Sequence, residues 1–197
     1  MMKPSTRKSP ILMMCLTLAF LAGMPHLALH AAGPTEQPGL LTVTGMVKLN
    51  GTPASTGDIA APGSEVQTGK ESSAVVSLGK LGSIEALSSS TVKLRYDNIS
   101  TSHNSASIAI LLSDGSVTVS AGEGIDFFVE SGMTSTRPSS RIGQNVFTVD
   151  ATCGNTLISV AKGEVELHAV NGVKKIAPGG QDSAGQAKPG CKPARNP

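Results

Sequence analysis

The chain has 197 residues, with sixteen Lys and Arg against fourteen Asp and Glu, no Trp, one Tyr and four Phe. Three of the bases, Lys3, Arg7 and Lys8, fall in an N-terminal leader, which leaves thirteen bases against fourteen acids and a mature charge near −1. Without a clustered basic face there is no electrostatic case for nucleic acid, and with so few rings there is no stacking platform for glycans or single strands.

Residues 1–32 carry the layout of a secretory signal: a basic start, an apolar helical run from Ile11 to Met24, and small residues at Ala28, Ala31 and Ala32. Cleavage is expected near Ala32. Pro25, His26 and His30 argue against an uncleaved spanning helix, and Met13 and Met14 ahead of Cys15 argue against lipidation. The expected location is periplasmic or secreted, in a bacterial envelope, with membrane contact only through the signal if it is uncleaved. Residues 33–40, including GPTEQPG, read as a linker, 41–181 as one β domain, and 182–197 as a Pro/Gly-rich tail whose Lys188, Lys192 and Arg195 form a solvated end.

From Leu41 onward no long stretch keeps a 3.6-residue apolar period, while alternation recurs in short runs broken by Gly, Asn, Asp and Ser. Val43, Met46, Val47 and Leu49 lead to an Asn50-Gly51 turn; Val66 and Thr68 precede Gly69; Ala74, Val76 and Leu78 precede Gly79; Ile84 and Ala86 follow. Val92, Leu94 and Tyr96 come next, then a Ser-rich loop near 98–107, then Ile108, Ile110 and Leu112. Asp114-Gly115 predicts a type I′ hairpin returning through Val117 and Val119. The remaining runs are Ile125, Phe127 and Val129; Val146, Phe147 and Val149; Ile158 and Val160; Val165 and Leu167; Val173 and Ile176. The spacing of ILLSDGSVTV at 110–119 recurs in ISVAKGEVEL at 158–167, and both read as hairpins. Roughly a dozen short strands are expected, in an all-β, jelly-roll-like two-sheet sandwich. A short β-solenoid is the alternative, without the fixed repeat that would favour it.

The order of these pieces, GMVKLNGTPASTGDIAAPGSEVQTGKESSAVVSLGKLGSIEALSSSTVKL at 45–94, LLSDGSVTVSA at 111–121 and NVFTVDATCGNTLISVAKGEVELHAVNGVKKIAPGGQ at 145–181, resembles the extracytoplasmic domain of the FecR family. The resemblance implies a jelly-roll-like domain and, in founding members, signalling between an outer-membrane receptor and an anti-sigma module. Here only a short basic tail precedes the apolar segment, and no receptor-contacting domain follows residue 181. The chain looks more like small exported proteins consisting mainly of a FecR-like domain. The anti-sigma role is therefore not carried over, and the family supplies no catalytic residue.

Several features invite a chemical reading. Gly63 to Glu71 resembles a phosphate loop, but five residues separate Gly63 from Gly69, Glu71 follows Lys70 where a hydroxyl is needed, and no helix follows. Gly69-Lys70 reads as a turn between strands. Glu164 and Glu166 share a strand face whose opposite side is claimed by Val165 and Leu167, which makes them solvent-facing rather than an acid/base pair. His103 lies in a Ser-rich loop and His168 ends a strand. A hydrolase using either is the alternative function, although no Gly-x-Ser-x-Gly elbow is present. Asn98-Ile99-Ser100 matches a glycosylation sequon by chance. Phe127, Phe128 and Phe147 read as core, except that Phe127 and Phe128 point to opposite faces and the outer ring is a contact candidate.

Export leaves Cys153 and Cys191, and a bridge would staple the tail to the body across about 39 residues. Two free thiols are the alternative, and neither His103 nor His168 has metal-ligand spacing to them. The expectation is a non-enzymatic binding or regulatory module, without cofactor, that contacts an envelope protein or receptor. A purely structural envelope protein remains the third reading.

Overall fold

The computed structural model describes residues 38–100, 105–185 and 189–191, so the leader, residues 33–37, His103 and residues 192–197 lie outside it. Among the described residues the chain forms seventeen strands and two 3-10 turns, with no α-helix. The first strands are β1 (Gly39–Thr44), β2 (Val47–Leu49), β3 (Thr52–Pro53), β4 (Ile59–Ala60), β5 (Glu65–Thr68), β6 (Ser73–Ser77) and β7 (Gly82–Ala86). The long β8 (Thr91–Ser100) and β9 (Ser105–Asp114) follow, then β10 (Ser116–Ala121), β11 (Ile125–Ser131), β12 (Thr134–Pro138) and β13 (Asn145–Asp150). The last four are β14 (Asn155–Lys162), β15 (Val165–Ala169), β16 (Gly172–Ile176) and β17 (Gln181–Gly185).

They form two sheets packed as a sandwich, as the alternation predicts. One sheet runs β17-β14-β13-β10-β7-β6-β1-β4 and the other β16-β15-β12-β11-β9-β8-β5-β2-β3. The order in each sheet nearly follows the chain, and every registered pair is antiparallel except β9 with β11. One apolar face per strand fills the interior. Ile125, Phe127 and Val129 of β11 are buried while Asp126, Phe128 and Glu130 between them are partly exposed. Leu41, Ile84, Leu94, Ile110, Phe147, Ile158 and Leu167 join the same core. Each such residue removed from water contributes about 1.5–3 kcal/mol.

The connections differ from the sequence reading in one systematic way. β9 and β10 do not pair with each other: they lie in opposite sheets, as do β14 and β15. Asp114-Gly115 and its echo at Gly163 are therefore corners between sheets, not hairpins. A type I′ turn needs positive φ at two successive residues. Asn50 (φ 53) and Gly51 (φ 80) have it and fold β3 back onto β2, whereas Gly115 (φ 85) is left-handed without Asp114. A single left-handed residue bends the strand across to the facing sheet, in the manner of sandwich corners. The chain crosses between sheets ten times among the described strands, and each connection contains one positive-φ residue. Apolar alternation reports which face a strand buries and not which sheet it joins, so hairpin and corner look alike in sequence.

Hydroxyl side chains fasten these corners to one another. Gly69 N–H donates to the Met46 carbonyl at 2.8 Å, Met46 N–H to Ser72 Oγ at 2.9 Å, and Ser89 N–H to the Gly69 carbonyl at 3.0 Å. Glu71 N–H donates to Ser88 Oγ at 2.9 Å, and the Thr68 hydroxyl donates to the Leu87 carbonyl. Ser90 Oγ accepts from Ser116 N–H at 2.8 Å and donates to the Ser116 carbonyl at 2.9 Å, imitating one rung of a ladder. The serine run 88–90 is thus a set of rivets in a column of corners. Gly69-Lys70 belongs to the corner from β5 to β6.

Other boundaries shift as well. β8 and β9 extend into the predicted Ser-rich loop, with Ser100 opposite Ser105, because an irregularity between Asp97 and Ile99 lets the pairing continue. β1 begins at Gly39 inside the linker reading, and β17 occupies part of the tail reading, where an edge strand lacking large apolar residues gives no signal. Met46 and Val173, placed on apolar faces by the sequence, are 74% and 56% exposed because one lies at a corner and the other faces outward on an edge strand.

Candidate functional site

The turns β11–β12, β13–β14 and β15–β16 collect with the edge strands β16 and β17 around a cleft of about 770 Å3, within the usual range for ligand sites. Local chemistry sets each turn. Gly132 (φ 56) opens the β11–β12 turn, and Ala169 opposite Gly172 closes a two-residue turn at Val170-Asn171. Before the third turn, buried Asp150 accepts from Thr152 N–H at 2.9 Å and from Ser116 Oγ at 2.6 Å. Cys153 (φ 68) and Gly154 (φ 76) then reverse the chain into β14. Cys153 forms a disulfide with Cys191, Cα atoms 5.6 Å apart, which ties the tail beside the cleft.

Hydroxyls line the interior side. Thr134 Oγ1 donates to the Ser131 carbonyl at 2.7 Å; Thr156 Oγ1 lies 3.1 Å from it and donates to Ser131 Oγ at 3.3 Å. Ser131 and Thr156 are both buried. The rim is apolar and open: Met133 is 83% exposed and Val170 78%. Such a combination of apolar rim and convergent polar groups is what a recognition site needs. Met133 and Val170 also border a shallower hollow with Glu130, Ser135 and His168, so the two tips form a ridge between two concavities.

Along the lateral margin Lys174 and Asp182 occupy core-facing positions, opposite Leu167 and Ile158 respectively. Lys174 Nζ bonds Asp182 Oδ1 at 2.8 Å and closes the end of the core with an ion pair where the sheets run out of strands. The Lys174 ammonium and, less strongly, Ser183 N–H hold the Asp182 carboxyl below its usual range.

The residues singled out from sequence lie mostly outside the cleft. Glu164 and Glu166 do share a solvent-facing side, where Lys175 Nζ sits 3.6 Å and 3.7 Å from them. A hydrogen bond from Ser139 Oγ at 2.7 Å, with Lys175 behind it, keeps the Glu164 carboxyl below its usual range. His168 faces outward on β15, with Arg137 Nε 3.4 Å and Glu166 Oε2 3.2 Å from its Nε2. That nitrogen can accept from Arg137 or, when protonated, donate to Glu166, but not both. The hydrogen bonds of His168 go to these two groups and to no hydroxyl nucleophile among the described residues. Phe127 and Phe147 are core. Phe128 lies half-buried on the outer face beside Ala109, which has Arg95 on its other side, and does not line the cleft.

Of the residues selected from sequence, Cys153, read as a staple, does line the cleft, and Lys174 lines it as well. Met133, Val170 and Asp114 come from separate turns, so no spacing connects them. The available signal was a large apolar residue inside a turn, Met133 after Gly132 and Val170 before Asn171-Gly172, where turn chemistry favours polar side chains.

No family model matches the chain, and no curated protein matches it. Among solved structures, it is similar to two crystal structures of a putative anti-sigma factor from Parabacteroides distasonis ATCC 8503, at 16% and 15% identity with TM-scores of 0.46 and 0.47. Each match covers 63% of this chain and 59% of the other, so the chain spans less than two thirds of the length of those structures.

Proposed function

We propose that the chain is an exported, non-enzymatic binding module of the FecR-like kind, acting in the bacterial envelope by docking a protein partner at the cleft and its ridge. The observation that carries the reading is the ridge itself: Met133 and Val170 stand more than three-quarters exposed, side by side between two concavities, one of them the cleft of about 770 Å3. The leader-like N-terminus and the disulfide support export, since such bridges persist in oxidising compartments. Arg137 and Glu166 lie within hydrogen-bond reach of His168 on an open sheet face, an arrangement suited to a solvated surface rather than to catalysis.

A photo-crosslinking residue placed at Met133, in the full chain expressed in its envelope, is expected to give a discrete protein adduct. The same residue at Thr42, exposed on the outer face of the other sheet, is expected to give none. Equal yields at both positions, or no adduct at Met133, would overturn the reading.

A further inference from the structure

Each sheet of the sandwich has two edges, and three of the four are blunted. β4 and β3 are two residues long, and β3 ends on Pro53. β17 is spanned by Lys174, whose Nζ bonds Asp182 and lies 3.4 Å from the Ser183 carbonyl. The fourth edge, β16, is five residues long with four of them exposed, and pairs only with β15 among the described strands. Lysines commonly guard an edge by repulsion. Here both are matched by carboxylates, Lys174 by Asp182 and Lys175 by Glu164 and Glu166.

The direction of the free backbone groups follows from the register. Ala169 and Gly172 close a two-residue turn and so form a hydrogen-bonded pair. By alternation Gly172, Lys174 and Ile176 turn their N–H and C=O toward β15, while Val173 and Lys175 turn theirs outward. Gly172, Val173 and Lys174 also line the cleft, together with Gly154 and Gly185, whose backbones pack closely on each other: a Cβ on Gly185 would meet the Gly154 carbonyl oxygen at 2.9 Å. At the mouth stands Asp114, a carboxylate that engages no hydrogen bond or ion pair among the described residues.

We infer that β16 is a strand-addition site: an extended peptide segment of four or five residues pairs with the outward N–H and C=O groups of Val173 and Lys175, presenting a basic side chain to Asp114 and an apolar one to the Met133–Val170 ridge. The inference rests on the proposed binding role and names its ligand class. Backbone pairing supplies affinity, and the alternate side chains supply selectivity. The unpaired acid favours a basic ligand over a neutral one.

The test begins with a random dodecapeptide library selected on the immobilised mature chain with its disulfide intact. Enriched peptides are expected to share alternating apolar residues with one Lys or Arg. A fluorescein-labelled selected peptide should bind Val173→Pro at least about tenfold more weakly, since proline removes an outward N–H and leaves the ladder to β15 untouched. Asp114→Asn should cost about threefold at low salt and less at high salt. Because a proline variant could misfold, N-methylation of alternate peptide amides provides the same test from the ligand side, and one of the two methylation registers should abolish binding. Failure to enrich any peptide, unchanged binding to Val173→Pro, or indifference to N-methylation would overturn strand addition. Dimerisation of the chain alone, abolished by Val173→Pro, would overturn it in favour of a second copy. If the Met133 crosslink persists undiminished in Val173→Pro, strand addition fails while the binding role stands; if no crosslink forms, the binding role itself fails.

Discussion

Replacing Gly115 by Ala tests the corner architecture directly. The position has φ 85, where a side chain costs about 1–2 kcal/mol. A Cβ there would also sit 2.6 Å from the Ser89 carbonyl oxygen and 2.6 Å from Ser90 Cα, both backbone atoms that cannot rotate away. The corner must open, which breaks the two bonds between Ser90 Oγ and Ser116 at roughly 1 kcal/mol each. The expected loss is about 3–4 kcal/mol. Gly51→Ala is the matched control: φ is 80 but no heavy atom lies within 4 Å, so only the conformational cost of about 1 kcal/mol applies. The gain from a stiffer unfolded chain is common to both variants and cancels in the comparison. Since the chain has no Trp, urea unfolding is best followed by far-UV circular dichroism. A difference between the two variants below about 0.5 kcal/mol would refute the stacked-corner account.

Cys153→Ser with Cys191→Ser should lose about 3–4 kcal/mol, from a closed loop with a sequence separation of 38, and calorimetry should show a melting temperature lower by roughly 10 °C. Thr136 is fully buried between Val129 and Leu167 positions, with a hydroxyl that has no partner among the described residues. Thr136→Val keeps the shape and should be neutral or more stable by about 1 kcal/mol in urea, and a marked loss would mean the hydroxyl is satisfied. Asp182 and Glu164 both have folded pKa values lowered from 3.8 and 4.5. Their stabilisation is therefore present above those values and lost as pH falls through the lowered ones. Lys174→Met should move the Asp182 carboxyl back up toward 3.8 in an NMR titration and flatten the acid limb of the stability curve; an unmoved Asp182 would show that the ion pair does not hold it.

What was legible in the sequence is what burial dictates locally. Ile125 to Ser131 alternates as β11 does, because each inward residue there meets the opposite sheet's core. The charged pair Glu164 and Glu166 was legible for the same reason, since Val165 and Leu167 fix the buried side. The partner of a strand was not legible. Asp114-Gly115 carries the residue types of a hairpin, but Asp114 stays out of the left-handed region and the chain leaves for the other sheet. The cleft was hidden because its parts are contributed by turns about 20 to 40 residues apart and by Lys174, an exposed lysine that stands opposite buried Leu167 on the side of its edge strand facing Asp182.

The near-sequential strand order gives the column of corners a consequence for how this protein varies in length. Each layer of the sandwich leans on the layers just before and after it, as in a quasi-one-dimensional array, and few contacts bind the first strands to the last. A further corner-strand-corner unit can be spliced in, or one removed, without redesigning the whole core, provided its hydroxyl rivets find backbone above and below. Folding inherits the same property: a nucleus anywhere along the column can grow outward in both directions, and the layers at its two ends, each with a neighbour on one side only, gain the least from the rest.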